Sequence, residues 1–252
     1  MRIAVAGGNG AVGTHVVEVL HEQGHEAVVL SRHAGIDLTS DDASAATRLA
    51  EQLAGTDAVV DVLSVQTRSA KGSETFFRTT TSHLLAAEQA AGVGHHVALS
   101  IVGVGQAPYG YYAGKVTQEK LVEAGPVPWT ILRATQFHEF ATQIYGQITV
   151  GPLMLIPAMR SQPVAAREVA QRLVELAIGA PAGRVPDLGG PREERMVDMV
   201  RRYARTQHRR GPILQVPLPG GLGKAMRDGT LVPHGPTDHG VQTYQEWLAA
   251  LG

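Results

Sequence analysis

Near the amino terminus stands the run Arg2-Ile3-Ala4-Val5-Ala6-Gly7-Gly8-Asn9-Gly10-Ala11-Val12-Gly13. Its apolar half leads directly into Gly7, Gly10 and Gly13, and an apolar helical pattern follows at Val16, Val17, Val19 and Leu20. This order predicts a strand, a tight turn and the start of a helix. Glycine at the three positions lets the turn close, lets backbone N–H groups approach a pyrophosphate, and lets the helix pack against the strand.

The glycine turn predicts a dinucleotide site. Phosphates would rest at the helix N-terminus, where unpaired N–H groups and the helix dipole favour negative charge. The strand before the glycines and the helix after them are the context that this motif requires. We expect the cofactor to be bound in the turn by Gly7, Asn9, Gly10, Ala11, Val12 and Gly13.

The composition indicates an ordinary globular protein. The chain has 252 residues, of which 44% are hydrophobic, a formal net charge of −1 and no cysteine. These values are not typical of disorder or of nucleic-acid binding, and they exclude disulfides and cysteine nucleophiles. His95 and His96 are adjacent on a predicted strand and should point to opposite faces, so we expect no metal site there. We expect a cytoplasmic protein with a small-molecule substrate and no nucleic-acid or membrane partner, for which a homo-oligomer is possible.

Apolar runs rich in valine alternate with helical patterns along the first part of the chain. The runs are Ile3–Ala6, Ala27–Leu30, Ala58–Leu63, His96–Ile101 and Trp129–Leu132. The helical patterns cover Gly13–Gln23, Ala43–Ala54, Ser73–Ala91, Tyr111–Glu123 and Ala166–Ile178. This alternation predicts an α/β fold, a Rossmann-like doubly wound parallel sheet whose ligand lies at the carboxyl ends of the strands.

The alternation weakens after about Phe137, where prolines and glycines become frequent. Two further helical patterns cover Arg192–Arg205 and Thr243–Leu251. We expect a single NAD(P)-binding domain over residues 1–252, in which residues 137–252 form most of a small C-terminal lobe on the substrate side. Nothing in this pattern identifies the substrate.

The second predicted strand ends in Ser31 and Arg32. An acidic residue at this point would accept hydrogen bonds from the ribose 2′-hydroxyl of NAD, whereas a guanidinium pairs with the 2′-phosphate of NADP. We therefore expect NADP(H) as the cofactor, and the alternative is that Arg32 is an ordinary surface arginine. Asp37 and Leu38 close a presumed third strand, where they either meet the adenine or serve the entry of the next helix beside Thr39.

A tyrosine and a lysine stand four residues apart in Tyr109-Gly110-Tyr111-Tyr112-Ala113-Gly114-Lys115. This spacing puts Tyr111 and Lys115 on one face of the predicted helix. An ammonium beside a phenol lowers the pKa of the tyrosine, so that Tyr111 can exchange a proton with a substrate oxygen while hydride moves to or from nicotinamide. Lys115 can also hold the ribose hydroxyls. The alternative is an ordinary helix start with an aromatic cluster and a solvated lysine.

Residues that follow the later strands complete the expected cofactor site. They are Ser64, Val65, Gln66, Thr135 and Phe137. The first three, with Thr67, would border the pyrophosphate or a ribose, and a plain loop is the alternative. Phe137, His138 and Glu139 should flank the nicotinamide end, where His138 either serves as a proton donor or substrate contact or packs as a histidine beside Phe137 and Phe140.

Several segments together resemble the atypical short-chain dehydrogenase/reductases of the NmrA-like group. They are the glycine turn, Ser31-Arg32, Leu99-Ser100-Ile101-Val102-Gly103-Val104, the Tyr111/Lys115 pair and Trp129-Thr130-Ile131-Leu132-Arg133-Ala134-Thr135-Gln136-Phe137. The resemblance covers residues 1 to about 140 and implies a Rossmann fold, NADP(H) binding and, in catalytic members, a Ser/Tyr/Lys constellation. It implies that Tyr111 is the acid/base, Lys115 its partner and Ser100 the oxyanion anchor, with Ile101 where many relatives have a second serine.

We therefore expect an NADPH-dependent oxidoreductase that reduces a carbonyl, quinone or enone of a small apolar molecule. The main alternative is a non-catalytic NADP(H)-sensing regulator that acts through a protein partner, because the group also contains proteins that bind the dinucleotide without turning it over. An epimerase or dehydratase of nucleotide sugars with retained NAD agrees poorly with Arg32 and with the short C-terminal lobe.

Overall fold

The computed structural model describes residues 1–209 and 211–251, so Arg210 and Gly252 lie outside the described residues. The chain divides into two compact units. The first unit comprises Met1–Ser100, Gly110–Arg133 and Arg167–Val185, and the second comprises Ile101–Tyr109, Ala134–Ala166 and Pro186–Gly252. Among the described residues, no helix is both long enough and apolar enough to cross a membrane.

The elements are as follows. The strands are β1 (Arg2–Ala6), β2 (Glu26–Leu30), β3 (Ala58–Asp61), β4 (His95–Ile101), β5 (Trp129–Ala134), β6 (Thr149–Val150), β7 (Leu153–Pro157), β8 (Arg160–Ser161), β9 (Gly183–Arg184), β10 (Asp187–Gly189), β11 (Glu194–Arg195), β12 (Ile213–Val216) and β13 (Thr237–His239). The α-helices are α1 (Ala11–Glu22), α2 (Ala43–Leu53), α3 (Ala70–Ala91), α4 (Tyr111–Ala124), α5 (Phe140–Ile144), α6 (Ala166–Ile178), α7 (Met196–Thr206), α8 (Gly220–Asp228) and α9 (Tyr244–Ala249).

A parallel sheet forms the centre of the first unit. Its neighbouring strands follow the order β5-β4-β3-β1-β2, and β9 pairs with β5. The pairs β1–β2, β1–β3, β3–β4 and β5–β9 are parallel. Strands β1, β3 and β4 are almost entirely buried. In β1 and β3 this follows from successive valine, isoleucine and alanine residues, without the polar alternation of a half-exposed sheet, and in β4 the polar residues His95, His96 and Ser100 are buried as well. The predicted Rossmann-like α/β fold is confirmed.

Side-chain caps set the helix ends in the first unit. Asp42 accepts a hydrogen bond from Ser44 N at the start of α2, and Ser69 accepts one from Gly72 N at the start of α3. Gly92 adopts a left-handed conformation with φ 72° and ends α3. The helices predicted for this part of the chain correspond to α1–α4 and α6 and differ from them by a few residues at their ends.

The presumed third strand ending at Asp37 and Leu38 is wrong. A 3₁₀ turn covers Arg32–Ala34, and irregular backbone follows it up to α2. The Asp37 carboxylate accepts hydrogen bonds from Thr39 N at 2.9 Å and from Thr39 Oγ1 at 2.7 Å. Such local bonds from a side chain to nearby backbone compete with strand pairing.

The second unit contains short strands that the sequence pattern did not reveal. Strand β10 pairs in parallel with β13 and, through Leu188, with Ala134. Strand β7 pairs with β6 and β12, and β8 pairs with β11. The two helical patterns predicted here correspond to α7 and α9. Helix α9 begins in a capping box, in which Thr243 and Glu246 bind each other's backbone N–H groups.

The histidines singled out from the sequence are buried and paired. His138 Nε2 donates to Gln242 O at 3.0 Å, and its ring packs against Tyr244 and Trp247, so the prediction of a packed histidine is confirmed with these rings as neighbours. His95 bonds to a threonine of β5, whereas His96 bonds to a glutamate of α3. These separate partners agree with the prediction that the two side chains point to opposite faces.

Candidate active site

The turn between β1 and α1 has the tight geometry that its glycines predict. Gly7 has φ 88°, in the left-handed region, and a Cβ at this residue would lie 2.9 Å from Val62 O. A Cβ on Gly13 would lie 2.1 Å from Gly7 O, so a residue larger than glycine would force α1 away from the turn. Gly10 N donates to Gly7 O at 2.9 Å and closes the turn.

The first turn of α1 is open to a negatively charged ligand. Among the described residues, none caps the helix at Gly10 through its side chain, and the first helical turn contains no acidic residue. Asn9, Gly10 and Ala11 are exposed, whereas Val12 and Gly13 are buried. The unpaired N–H groups and the positive end of the helix dipole are therefore accessible where phosphates would bind.

Arg32 is exposed and begins the 3₁₀ turn that follows β2. Ser31 precedes it and fixes the turn, since its Oγ accepts a hydrogen bond from Ala34 N at 3.3 Å. The guanidinium therefore extends from a capped turn directly after the strand. A guanidinium in this position is suited to a phosphate because it offers several N–H donors in one plane.

Asp37 and Leu38 are held by local contacts. Hydrogen bonds from Thr39, assisted by the charge of Arg32, lower the pKa of the Asp37 carboxyl. Leu38 is buried, and its carbonyl accepts a hydrogen bond from His83 Nδ1 at 3.0 Å. Asp37 therefore forms a local turn with Thr39, whereas α2 begins at Ala43 and is capped by Asp42, so the predicted helix-entry role of Asp37 is wrong. Contact of Asp37 or Leu38 with an adenine stays a prediction.

Tyr111 begins α4, and its hydroxyl reaches the loop that follows β3. The phenol donates a hydrogen bond to Ser64 Oγ at 3.3 Å, and its ring packs edge-on against Phe77 with centroids 5.7 Å apart. Burial raises the pKa of Tyr111 to about 12, although the hydrogen bond with Ser64 opposes this rise. The phenol is therefore neutral at physiological pH.

Lys115 is buried one turn further along α4, with 4% of its surface exposed. Its Nζ donates hydrogen bonds to Leu63 O at 3.2 Å, to Leu99 O at 2.9 Å and to Gln118 Oε1 at 2.9 Å. The ammonium also lies 4.5 Å from the ring centroid of Phe77, a cation–π distance. All three N–H groups of the ammonium therefore have acceptors, two of which are carbonyls close to the carboxyl ends of β3 and β4.

The structure confirms one part of the Tyr111 and Lys115 prediction and corrects another. Both side chains contact Phe77, so they do lie on one face of α4. However, the prediction that Lys115 lowers the pKa of Tyr111 is wrong, because burial dominates and raises it. Burial also lowers the pKa of Lys115 to about 8, against the opposing charges of Asp61 and Glu119. The alternative of a solvated lysine is equally wrong.

Two residues of this site were missed by the sequence analysis. Asp61, at the end of β3, and Gln118, on α4, are both fully buried. Gln118 Nε2 donates to Asp61 Oδ2 at 2.7 Å, and Leu63 N donates to Asp61 Oδ1 at 2.9 Å. A carboxylate inside an otherwise apolar strand is uncommon unless it is paired, and this was the signal that could have identified Asp61.

Ser100 lies near Glu119 of α4, but its buried Oγ has no hydrogen-bond partner among the described residues. Burial raises the pKa of Glu119, but contacts with Arg133, Ser100 and Arg184 outweigh it and leave the pKa lowered. Arg133 binds this carboxylate in a bidentate manner at 2.8 and 2.6 Å. The predicted oxyanion anchor therefore lies beside an ion pair, and the serine that the structure brings to Tyr111 is Ser64.

The family model for NAD(P)H-binding proteins matches residues 7–178. This match begins in the glycine turn and includes Tyr111 and Lys115, and it extends over more than half of the chain. The chain belongs to the NAD(P)H-binding family. The expectation of a protein that binds a nicotinamide nucleotide is confirmed at this level. Among proteins with curated functions, none matches the sequence.

Several solved structures resemble this NAD(P)H-binding protein over nearly their whole length. A nucleoside-diphosphate-sugar epimerase from Staphylococcus aureus is 16% identical with a TM-score of 0.71, over 98% of this chain and 99% of that chain. A Thermus thermophilus UDP-glucose 4-epimerase in complex with NAD is 18% identical with a TM-score of 0.69, over 99% and 93%. An Escherichia coli NADPH-dependent quinone oxidoreductase complexed with NADPH is 16% identical with a TM-score of 0.68, over 99% of both chains. At these identities the likeness shows the fold.

The residues predicted to bind the cofactor of this NAD(P)H-binding protein fall in both units. The glycine turn, Ser31, Arg32 and the loop Ser64-Val65-Gln66 follow the carboxyl ends of β1, β2 and β3 in the first unit. Thr135 and Phe137 belong to the second unit, where Thr135 Oγ1 donates to Gln162 O and Phe137 bridges to Val164. That Thr135 and Phe137 bind the cofactor stays a prediction.

Proposed function

We propose that this NAD(P)H-binding protein is an NADPH-dependent oxidoreductase that reduces a carbonyl, quinone or enone of a small apolar molecule. The observation that carries the proposal is the hydroxyl pair of Tyr111 and Ser64 at the edge of the parallel sheet where the glycine turn also lies. In such sheets the ligand binds at the carboxyl ends of the strands. A neutral phenol at this edge can give a proton to an oxygen that gains electrons.

The choice of NADP(H) rests on Arg32. Its exposed guanidinium follows β2 directly, at the point where a Rossmann fold meets the ribose 2′ position of the cofactor. The Escherichia coli quinone oxidoreductase, which resembles this chain in fold, is complexed with NADPH, whereas the Thermus thermophilus epimerase holds NAD. A positively charged side chain favours the phosphorylated nucleotide.

The residues present fit such a cofactor. The turn at Gly7 and Gly13 has no space for a side chain at either residue. The first turn of α1 offers its N–H groups to a pyrophosphate. Arg32 would bind the 2′-phosphate. When bound, NADPH would supply a hydride to the substrate. The small-molecule substrate would then approach the edge of the sheet on which Ser64 and Tyr111 lie.

Tyr111 would act as the general acid. Its O–H bond would break as the proton passes to the substrate oxygen, and the adjacent carbon would accept the hydride that NADPH supplies, so the substrate would gain two electrons and two hydrogens in total. Because the pKa of Tyr111 is raised to about 12, the resulting phenolate is a strong base and recovers a proton from solvent readily. Ser64 holds the phenol in place through its Oγ, and the phenolic O–H would turn from Ser64 toward the substrate oxygen before its proton is transferred.

A reductase screen tests this proposal. Purified protein and NADPH are mixed with a panel of quinones, aldehydes, ketones and enones, and the loss of NADPH absorbance is compared with that of a Tyr111→Phe variant. We expect at least one substrate class to be reduced faster by the wild type than by the variant. Equal rates for the two proteins across the panel would contradict the role of Tyr111.

The second candidate function is an NADP(H)-sensing regulator without turnover. It is favoured by one observation, namely that Lys115 is engaged with two backbone carbonyls and Gln118 and does not activate the phenol. Tight NADPH binding together with an entirely negative screen would support this alternative. A nucleotide-sugar epimerase would instead bind NAD more tightly than NADP and convert sugar nucleotides without net consumption of cofactor.

A further inference from the structure

We propose that Asp61 and Gln118 are positioning residues, which hold the ammonium of Lys115 on the carbonyls of Leu63 and Leu99. Lys115 would then act through the loop that carries Ser64, without direct contact with Tyr111. The consequence for the cofactor site rests on the proposed function. The hydrogen-bond arrangement and its effect on Lys115 do not depend on it.

The buried hydrogen bonds around Lys115 form one connected set. Gln118 bridges the two charged groups, since its amide nitrogen donates to Asp61 at 2.7 Å and its amide oxygen accepts from Lys115 at 2.9 Å. Asp61 in turn accepts from Leu63 N, and Lys115 donates to Leu63 O. Both backbone groups of Leu63 are therefore fixed from one connected set of side chains.

The buried charge of Lys115 also requires a nearby carboxylate. A buried ammonium is unfavourable unless opposite charge lies near it, and the carboxylates whose charge acts on Lys115 are Asp61 from β3 and Glu119 from α4. Glu119 is already bound by Arg133 and Arg184. Asp61 is thus the carboxylate linked to Lys115 through a shared hydrogen-bond partner.

The hydrogen bonds of Lys115 also fix the backbone beside Ser64. Leu63 immediately precedes Ser64, and Ser64 accepts the hydrogen bond of the Tyr111 phenol. Lys115 therefore fixes the backbone next to the residue that orients the phenol. The ammonium also contacts the ring of Phe77 on α3 and the carbonyl of Leu99 in β4. Both of these groups are uncharged.

The titration of Lys115 provides a test that needs neither cofactor nor substrate. The chain has only four lysines, Lys71, Lys115, Lys120 and Lys224, so the side-chain resonances of protein labelled with ¹³C-lysine can be followed one by one with pH. The variants are Asp61→Asn, which keeps the shape and removes the charge, and Gln118→Met, which removes the bridge and keeps the charge. Glu88→Gln is the matched control, because Glu88 is an equally buried carboxylate paired with His96.

Asp61→Asn should lower the pKa of Lys115 by about one unit or more, and Gln118→Met should lower it by less. The control substitution Glu88→Gln should leave the pKa of Lys115 unchanged, although the charge of Asp61 acts on the pKa values of both Glu88 and His96. A midpoint for Lys115 that is the same in Asp61→Asn and in Glu88→Gln would overturn the proposal. If Asp61→Asn does not fold, an unchanged midpoint in Gln118→Met overturns it.

A parallel measurement of NADPH affinity separates this proposal from the proposed function. We expect both network variants to weaken NADPH binding more than Glu88→Gln does. If no variant and no wild-type protein binds NADPH while the midpoint of Lys115 still depends on Asp61, the proposed function fails and the positioning role stands. If NADPH binds and neither Asp61→Asn nor Gln118→Met changes the titration midpoint of Lys115, the positioning role fails and the proposed function stands.

Discussion

The hydroxyl of Tyr111 donates a hydrogen bond to Ser64 Oγ at 3.3 Å and so joins the first turn of α4 to the loop after β3. This contact brings the phenol to the carboxyl edge of the parallel sheet. It also pairs the tyrosine with a serine other than Ser100, whose hydroxyl approaches Glu119. The phenol is thus an acid of raised pKa with one hydroxyl partner.

Tyr111→Phe should reduce turnover by about 10²–10⁴-fold, the usual contribution of general acid–base catalysis. NADPH affinity should be unchanged, because the substitution removes only the hydroxyl. Steady-state kinetics and nucleotide titration measure the two quantities separately. Tyr112→Phe, one residue along, is the control and should retain wild-type turnover; a loss as large as that of Tyr111→Phe would show that the effect is not specific to the proton donor.

Arg32→Ala should weaken NADPH by about 1.5–3 kcal/mol, the value of a charge-assisted hydrogen bond, and should leave NADH almost unaffected. The physical reason is that only NADPH carries the 2′-phosphate. Fluorescence titration with both nucleotides measures the preference. Arg48→Ala, on the neighbouring helix α2, serves as the matched charge control, and equal losses for NADPH and NADH in Arg32→Ala would contradict the assignment.

Gly13→Ala should destabilise the protein and abolish nucleotide binding. The added Cβ would lie 2.1 Å from Gly7 O, a backbone atom that cannot move without opening the turn. Overpacking of this kind costs about 1–3 kcal/mol or more, which denaturant unfolding measures. At Gly105 an added Cβ meets nothing within 4 Å, so Gly105→Ala should match the wild type in both assays. Wild-type binding by Gly13→Ala would be incompatible with this turn.

The low pKa of Lys115 makes part of the stability depend on pH. Burial lowers this pKa from 10.5 to about 8, so between these values the unfolded chain binds more protons than the folded chain. Stability should therefore rise with pH from about 8 to about 10.5, by at most about 1.4 kcal/mol per pH unit. Below pH 8 the ammonium is charged in the folded state as well, so the whole cost of burying it lowers the stability there.

This dependence can be isolated with Lys115→Met. The free energy of unfolding of the wild type, relative to that of the variant, should increase over this pH interval, because only the wild type has the titrating ammonium. Urea unfolding at several pH values measures the difference. A constant or decreasing difference would show that Lys115 is not held as a desolvated ammonium.

The sequence predicted the first unit well because several local signals agreed there. The strand, glycine turn and helix start of Arg2–Gly13 were consistent with one another, and Asp42, Ser69 and Gly92 cap helices as such residues do. The second unit was different. Strands of two or three residues, such as Thr149–Val150 and Glu194–Arg195, are too short to show a period and form only through partners distant in sequence.

The sequence predicted which residues belong to the site better than it predicted which groups those residues contact. Helical spacing placed Tyr111 and Lys115 on one face, but spacing does not tell which acceptors an ammonium finds. The carbonyl of Leu63 in the loop after β3, the carbonyl of Leu99 in β4 and the side chain of Gln118 bind Lys115, and these come from segments far apart in the chain. The raised pKa of Tyr111 likewise depends on burial, which a sequence pattern does not quantify.

The central claim is that NADPH binds at the open first turn of α1 with its 2′-phosphate on Arg32. Calorimetric titration of the purified protein with NADPH and NADH tests it most directly. We predict saturable binding of NADPH with one site per chain, and weaker binding of NADH. The absence of measurable binding of either nucleotide would contradict the account, and tighter binding of NADH would contradict the role of Arg32.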